Sequence, residues 1–165
     1  MKRQFSTLLR ILVIMVVLLS AMAASAQTLS IEGTYQISSR KLPDGTILRP
    51  PNIMGLLTYT KSHRNFNLVI KDATGKLYSY SLVSTYTLTA TEYSETRRFS
   101  ILNDQIGGKD IVYDLSEKTR SVPVKMEGGR LQFKPPFDPP ALVFEGNKMT
   151  ATLEGEFVDE WEKVR

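Results

Sequence analysis

From residue 30 onward the chain alternates apolar and polar positions with a period of two, the repeat of strands that bury one face. Ile31, Gly33, Tyr35 and Ile37 open the series, and Pro43-Asp44-Gly45 and Pro50-Pro51 then break it. Met54–Thr60 follows, then a turn at Lys61–Arg64, then Asn65–Lys71 with Phe66, Leu68 and Ile70 on one face. Beyond a turn at Asp72–Gly75, Leu77–Thr89 is a long run rich in Tyr, Thr, Val and Leu, all strand formers. Glu92–Leu102 alternates Tyr93, Phe99 and Ile101 against Ser94, Thr96 and Ser100.

The second half repeats the pattern. Asn103–Asp114 carries glycines and acids and is expected to be a loop with a short element at Ile111–Leu115. Ser121–Met126, Leu131–Phe133, Ala141–Phe144, Lys148–Leu153 and Glu156–Lys163 read as further strands. Gly128-Gly129 and Gly146-Asn147 supply the hairpin turns, and Pro135-Pro136 and Pro139-Pro140 a break. No segment carries an amphipathic helical stripe beyond a turn or two. Many short strands in one chain of 165 residues predict an all-β sandwich or barrel. One strand, a proline-rich loop and then successive hairpins favour the barrel: antiparallel, up-and-down, of about eight strands.

The N-terminus departs from this pattern. Lys2, Arg3 and Arg10 precede nine uninterrupted apolar residues, Ile11–Leu19, and Ala21–Ala26 is a run of small residues around Met22. A basic start, an apolar centre and a small-residue end are the order of a cleaved secretory signal. Residues 1–26 are therefore expected to be a signal peptide and residues 27–165 the barrel domain. Ala24-Ser25-Ala26 is the cleavage site that leaves Gln27 first. Arg10 and the small-residue end argue against a retained membrane span, and no cysteine is present for a lipid anchor. An exported protein, periplasmic or secreted and without a stable membrane anchor after cleavage, is the expectation.

Charge matters here chiefly for what it removes. The signal holds three of the 21 basic residues and none of the 17 acidic ones, so the mature chain is near neutral. The basic balance belongs largely to the export signal, and no concentrated basic patch remains to meet nucleic acid. Without cysteine there are no disulfides, thiolate metal ligands or cysteine nucleophile, and the single histidine, His63, excludes a histidine-rich metal site.

Three segments carry a resemblance to a known family. Glu32-Gly33-Thr34-Tyr35 resembles the G-x-W opening of lipocalins and related calycins, with tyrosine in the tryptophan place. Pro51–Thr60 is similar to the second strand of bacterial lipocalin-like domains, which often reads P-x-G-x-L-x-Y-T. Phe157–Val164 is similar to their last strand, where a tryptophan is followed by a basic residue. The resemblance implies a calycin-type barrel with Gly33 and Tyr35 at its closed end and a small hydrophobic or amphipathic molecule in its interior. It leaves open a barrel enzyme of the isomerase or cyclase type, and an envelope interaction protein with a filled barrel.

No residue set predicts catalysis. His63 reads as a turn residue, no G-x-S-x-G elbow exists, and the glycine pairs open no helix that could hold phosphate. Asp104, Asp110 and Asp114 lack the spacing of a calcium loop. No metal and no cofactor is expected, and Glu156, Asp159, Glu160 and Glu162 read as a solvated acidic face. The candidate ligand-binding residues are Tyr59, Phe66, Tyr86, Tyr93 and Phe99, at inward positions of consecutive strands, with Arg97 as polar anchor. If Arg97 faces inward it needs a carboxylate such as Glu95 or an anionic ligand.

Overall fold

A computed structural model describes residues 30–164, and Met1–Ala26, the segment expected to be a signal peptide, lies outside them. Among the described residues there is no helix. Thirteen strands run in order: β1 (Gly33–Lys41), β2 (Ile47–Leu48), β3 (Ile53–Tyr59), β4 (His63–Lys71), β5 (Leu77–Leu88), β6 (Glu92–Asp104) and β7 (Lys109–Asp114), then β8 (Lys118–Pro123), β9 (Lys125–Glu127), β10 (Arg130–Phe133), β11 (Ala141–Glu145), β12 (Lys148–Leu153) and β13 (Phe157–Lys163). All belong to one antiparallel sheet that curls into a barrel-like shape, in the order β7-β6-β5-β4-β3-β1-β13-β12-β11-β10-β9.

The sequence expectation of an antiparallel, barrel-like all-β fold agrees with this sheet; the count of about eight strands does not. Two segments account for part of the difference. Asn103–Asp114, expected to be a loop with a short element at Ile111–Leu115, is more regular than that: it is the end of β6, a turn and β7, whose Val112 and Tyr113 pair with Leu102 and Ile101. The segment read as one strand, Ser121–Met126, is two. Pro123 lacks the N–H that would continue the ladder, so β8 pairs with β6 and, one residue later, β9 pairs with β10. Lys118–Glu127 therefore touches strands from opposite ends of the sheet order, and Val124 N–H donates to Thr91 O at 2.9 Å beside the switch.

One end of the interior is filled by rings. Tyr35, Tyr59, Tyr86, Tyr93, Phe133 and Phe144 are all buried there with Ile31. Tyr93 stacks on Phe133 at 4.3 Å, Tyr59 meets Tyr86 edge-on at 5.2 Å, and Tyr35 meets Phe144 edge-on at 5.6 Å. Such geometries exceed plain area burial by about 0.5–1.5 kcal/mol per pair. The Tyr35 hydroxyl donates to Ile31 O and that of Tyr86 to Thr60 O. At Gly33, φ is +137°, and a Cβ would lie 2.0 Å from Lys163 Cε. The glycine thus leaves room for the Lys163 side chain, whose Nζ lies 5.6 Å from the Tyr35 ring, and takes a φ that other residues rarely adopt.

These rings give an alkaline prediction. Burial raises the Tyr35, Tyr59, Tyr80 and Tyr93 phenols above their ordinary range, and pushes Tyr86 up to about 12. A raised folded pKa means the unfolded chain ionises first, so stability is intact below about pH 10 and falls above it. Each tyrosine removes about 1.4 kcal/mol per pH unit over that window. Tyrosinate absorbance and circular dichroism, followed together, should show these rings ionising only as the fold opens. Smooth ionisation ahead of any loss of strand signal would mean the rings are wet.

Candidate functional site

The other end of the interior is open, and its content follows from the phase of six strands. On β4, Arg64, Phe66, Leu68 and Ile70 share the inner face; on β5 it is Tyr78, Tyr80, Leu82 and Ser84, their register partners. On β3 the inner positions are Ile53, Gly55, Leu57 and Tyr59. On β13 they are Phe157, Asp159 and Trp161, and β11 and β12 add Leu142, Met149 and Ala151. Most of these residues line a cavity of about 580 Å³; Ile53, Gly55, Tyr59, Leu82 and Ser84 are not in its lining. That volume lies within the span of small-molecule sites, roughly 300–1,000 Å³.

The lining is apolar on the walls and charged at particular points. Arg40 grips Asp159 with a fork, Nε to Oδ1 at 2.6 Å and Nη2 to Oδ2 at 2.7 Å, and lies over the Phe157 ring at 3.6 Å. Burial raises the Asp159 pKa, and Arg40 opposes that rise. Arg64, only 2% exposed, donates through Nη1 to Glu95 Oε1 at 2.9 Å and through Nη2 to Asp138. Ser84 Oγ donates to the same Glu95 oxygen at 2.5 Å. Burial works against the charge of Arg64, but the carboxylates of Asp138 and Glu95 more than offset it, so the guanidinium stays firmly protonated.

Asp138 reaches Arg64 from the segment Pro135–Pro140, which joins β10 to β11. Two proline pairs flank Phe137-Asp138 and restrict the backbone of this crossing. Phe137, Asp138, Pro139 and Pro140 all line the cavity, so the crossing forms part of its wall.

The sequence-derived residues divide between the two ends. Phe66 lines the cavity. Tyr59, Tyr86 and Tyr93 are buried in the aromatic end and do not reach the lining. Phe99 lies on the other face of β6 from Tyr93, because Arg98 is an extra residue between the Ser84–Arg97 and Val83–Phe99 pairs. A bulge reverses the facing of every residue beyond it, so the assumption that Tyr93, Arg97 and Phe99 share a face fails at Arg98. Arg97 does keep the phase of Tyr93, but it pairs with Asp114 and donates to Ser116 Oγ at 3.3 Å, away from the cavity lining. The carboxylate considered for it, Glu95, belongs to Arg64 instead.

Other parts of the site were missed. The sequence reads Arg64 as the end of the Lys61–Arg64 turn, although it continues the Phe66, Leu68, Ile70 alternation by one step. Asp159 was assigned to a solvated acidic face, although it alternates in phase with Trp161. Glu160 and Glu162, the register between them, are exposed as expected. His63 is exposed, its Nδ1 2.9 Å from Ser62 Oγ.

Gly55 sets the depth of the wall. A Cβ there would meet Trp161 Cη2 and the Asn67 carbonyl oxygen, each at 2.9 Å. The Trp161 ring edge can come this close to β3 because no side chain competes for the space. Gly55→Ala should cost about 1–3 kcal/mol, the range for overpacking a filled site. Urea denaturation checks it, and a stability equal to the parent's would show that Trp161 does not bear on β3.

No family model, curated protein or solved structure matches the chain.

Proposed function

We propose that the chain is an exported, lipocalin-like barrel that holds one small hydrophobic or amphipathic molecule in its interior. The observation that carries this reading is the division of the interior. Six rings pack one end solid, while the other keeps a cavity of about 580 Å³ walled by Leu57, Phe66, Leu68, Leu142, Met149 and Trp161. A barrel that served only as a scaffold would gain by filling that space, since each void forfeits contact energy. Mostly apolar walls with a few fixed polar groups are the usual form of a small-ligand site. Export rests on the basic, apolar and small-residue order of residues 1–26.

The test is native mass spectrometry of protein recovered from the exported fraction. The polypeptide mass should begin at Gln27, and the intact protein should carry a non-covalent small molecule. Ala151, 5% exposed on β12, lines the cavity. Ala151→Phe should fill part of it and strip the adduct. A mass beginning at Met1 would contradict cleavage, absence of the protein from the exported fraction would contradict export, and an adduct unaffected by Ala151→Phe would place the molecule elsewhere.

A further inference from the structure

Two residues of the cavity wall carry buried N–H groups that have no acceptor. Arg64 and Trp161 both line the cavity and are each 2% exposed, and among the described residues neither Arg64 Nε nor Trp161 Nε1 finds a hydrogen-bond partner. They flank Phe66, whose ring centre lies 5.6 Å from Arg64 Cζ and 5.9 Å from the Trp161 ring. The other unpartnered buried polar atoms, on Tyr59, Tyr93, Glu95 and Arg97, belong to residues outside the lining. Buried polar groups are ordinarily hydrogen-bonded, because a donor stripped of water and left unpaired loses its hydration without return. Guanidinium and indole N–H groups are donors only, so what this wall lacks is an acceptor.

Charge then decides which kind of acceptor fits. The two cations of the lining, Arg40 and Arg64, are already neutralised: Arg40 by its fork on Asp159, and Arg64 by two carboxylates, Asp138 and Glu95. An anion would find no free cation, and beside Arg64 it would be a third negative charge against one positive. A protonated amine would bring further donors to a wall that lacks acceptors. The two remaining lining carboxylates do not help it, since Asp104 is held by Lys109 and the Gly107 N–H, and Glu156 is exposed. A carbonyl oxygen accepts from either N–H and carries no charge. We propose that the ligand is a neutral apolar molecule with a carbonyl oxygen, a ketone or an ester, seated against Phe66 with that oxygen accepting from Trp161 Nε1 or Arg64 Nε. This rests on the interior being the binding site, and it adds the charge and hydrogen-bonding class of the ligand.

The experiment compares three probes of equal size, methyl heptyl ketone, nonylammonium and octanoate, at neutral pH on the mature protein. Calorimetry gives the affinities, and nitrogen–proton correlation spectra follow the side-chain N–H signals. The chain's one tryptophan gives a single indole signal, which needs no further assignment. The ketone should bind tightest, by about tenfold or more over either charged probe, equivalent to about 1.4 kcal/mol. It should also move the Trp161 indole or Arg64 Nε proton downfield, the direction of a newly accepted hydrogen bond. Either charged probe binding as tightly as the ketone would overturn the proposal while leaving the interior site standing. Ketone binding with neither proton moved downfield would overturn it too, because the donors would then play no part. Failure of all three probes to bind would overturn the interior site and this proposal together.

Discussion

Arg64→Met is expected to destabilise the fold by about 3–5 kcal/mol, the range for breaking a buried ion pair by removing one partner. The methionine keeps most of the apolar stem, so lost packing is a minor part. The cost comes from what stays behind. Glu95 is fully buried on β6, its Oε1 held by Arg64 and Ser84, and its Oε2 has no hydrogen-bond partner. Arg64 is its one cation among the described ion pairs. Asp138 is placed differently: it sits on the connection between β10 and β11 and lines the cavity, where Glu95 does not. Adding Glu95→Gln to Arg64→Met should therefore restore most of the loss, a coupling that distinguishes uncompensated charge from a damaged core. Urea unfolding of the two single variants and the double measures it. Equal stability of Arg64→Met and the parent would mean that the cluster is solvated.

Trp161→Ala should be similarly severe, at about 3–5 kcal/mol, the range for truncating a large buried ring. Trp161 is 2% exposed, 5.9 Å from the Phe66 ring, opposite Ile37 on β1 and Met149 on β12, and seated on Gly55. It thus joins the strands where the first and last parts of the chain meet. Against a typical total stability of about 5–15 kcal/mol, that loss is a large share. Trp161→Phe keeps a ring at the site and should cost much less. Thermal unfolding followed by far-ultraviolet circular dichroism makes the comparison. A loss under about 1 kcal/mol for the alanine variant would place the ring at the surface.

Period-two alternation made the fold legible because a half-buried strand must repeat every second residue, and Tyr35, Leu57, Phe66 and Trp161 obey it. It could not reveal the bulge at Arg98, since one extra residue inside an otherwise regular run leaves both flanks correctly alternating while reversing their relation. That bulge alone turns Phe99 away from the face of Tyr93. The polar members of the site were hidden by a different habit. Arg64 and Asp159 stand in phase with apolar neighbours, but charged residues are so rarely buried that alternation was not extended to them. Each is buried because a partner distant in sequence neutralises it: Asp138 for Arg64, Arg40 for Asp159. Pairing between residues 74 and 119 positions apart leaves no local trace. The division into a solid end and an open end was equally out of reach, because tyrosines at inward positions read the same whether they pack on each other or line a space.

The most direct test of an occupied interior uses the chain's one tryptophan, Trp161, which lines the cavity. Mature protein is titrated with a neutral naphthylamine dye while energy transfer from Trp161 is recorded. The interior site predicts saturable transfer at one dye per chain, abolished by Ala151→Phe. Transfer that never saturates, or that survives Ala151→Phe undiminished, would contradict it.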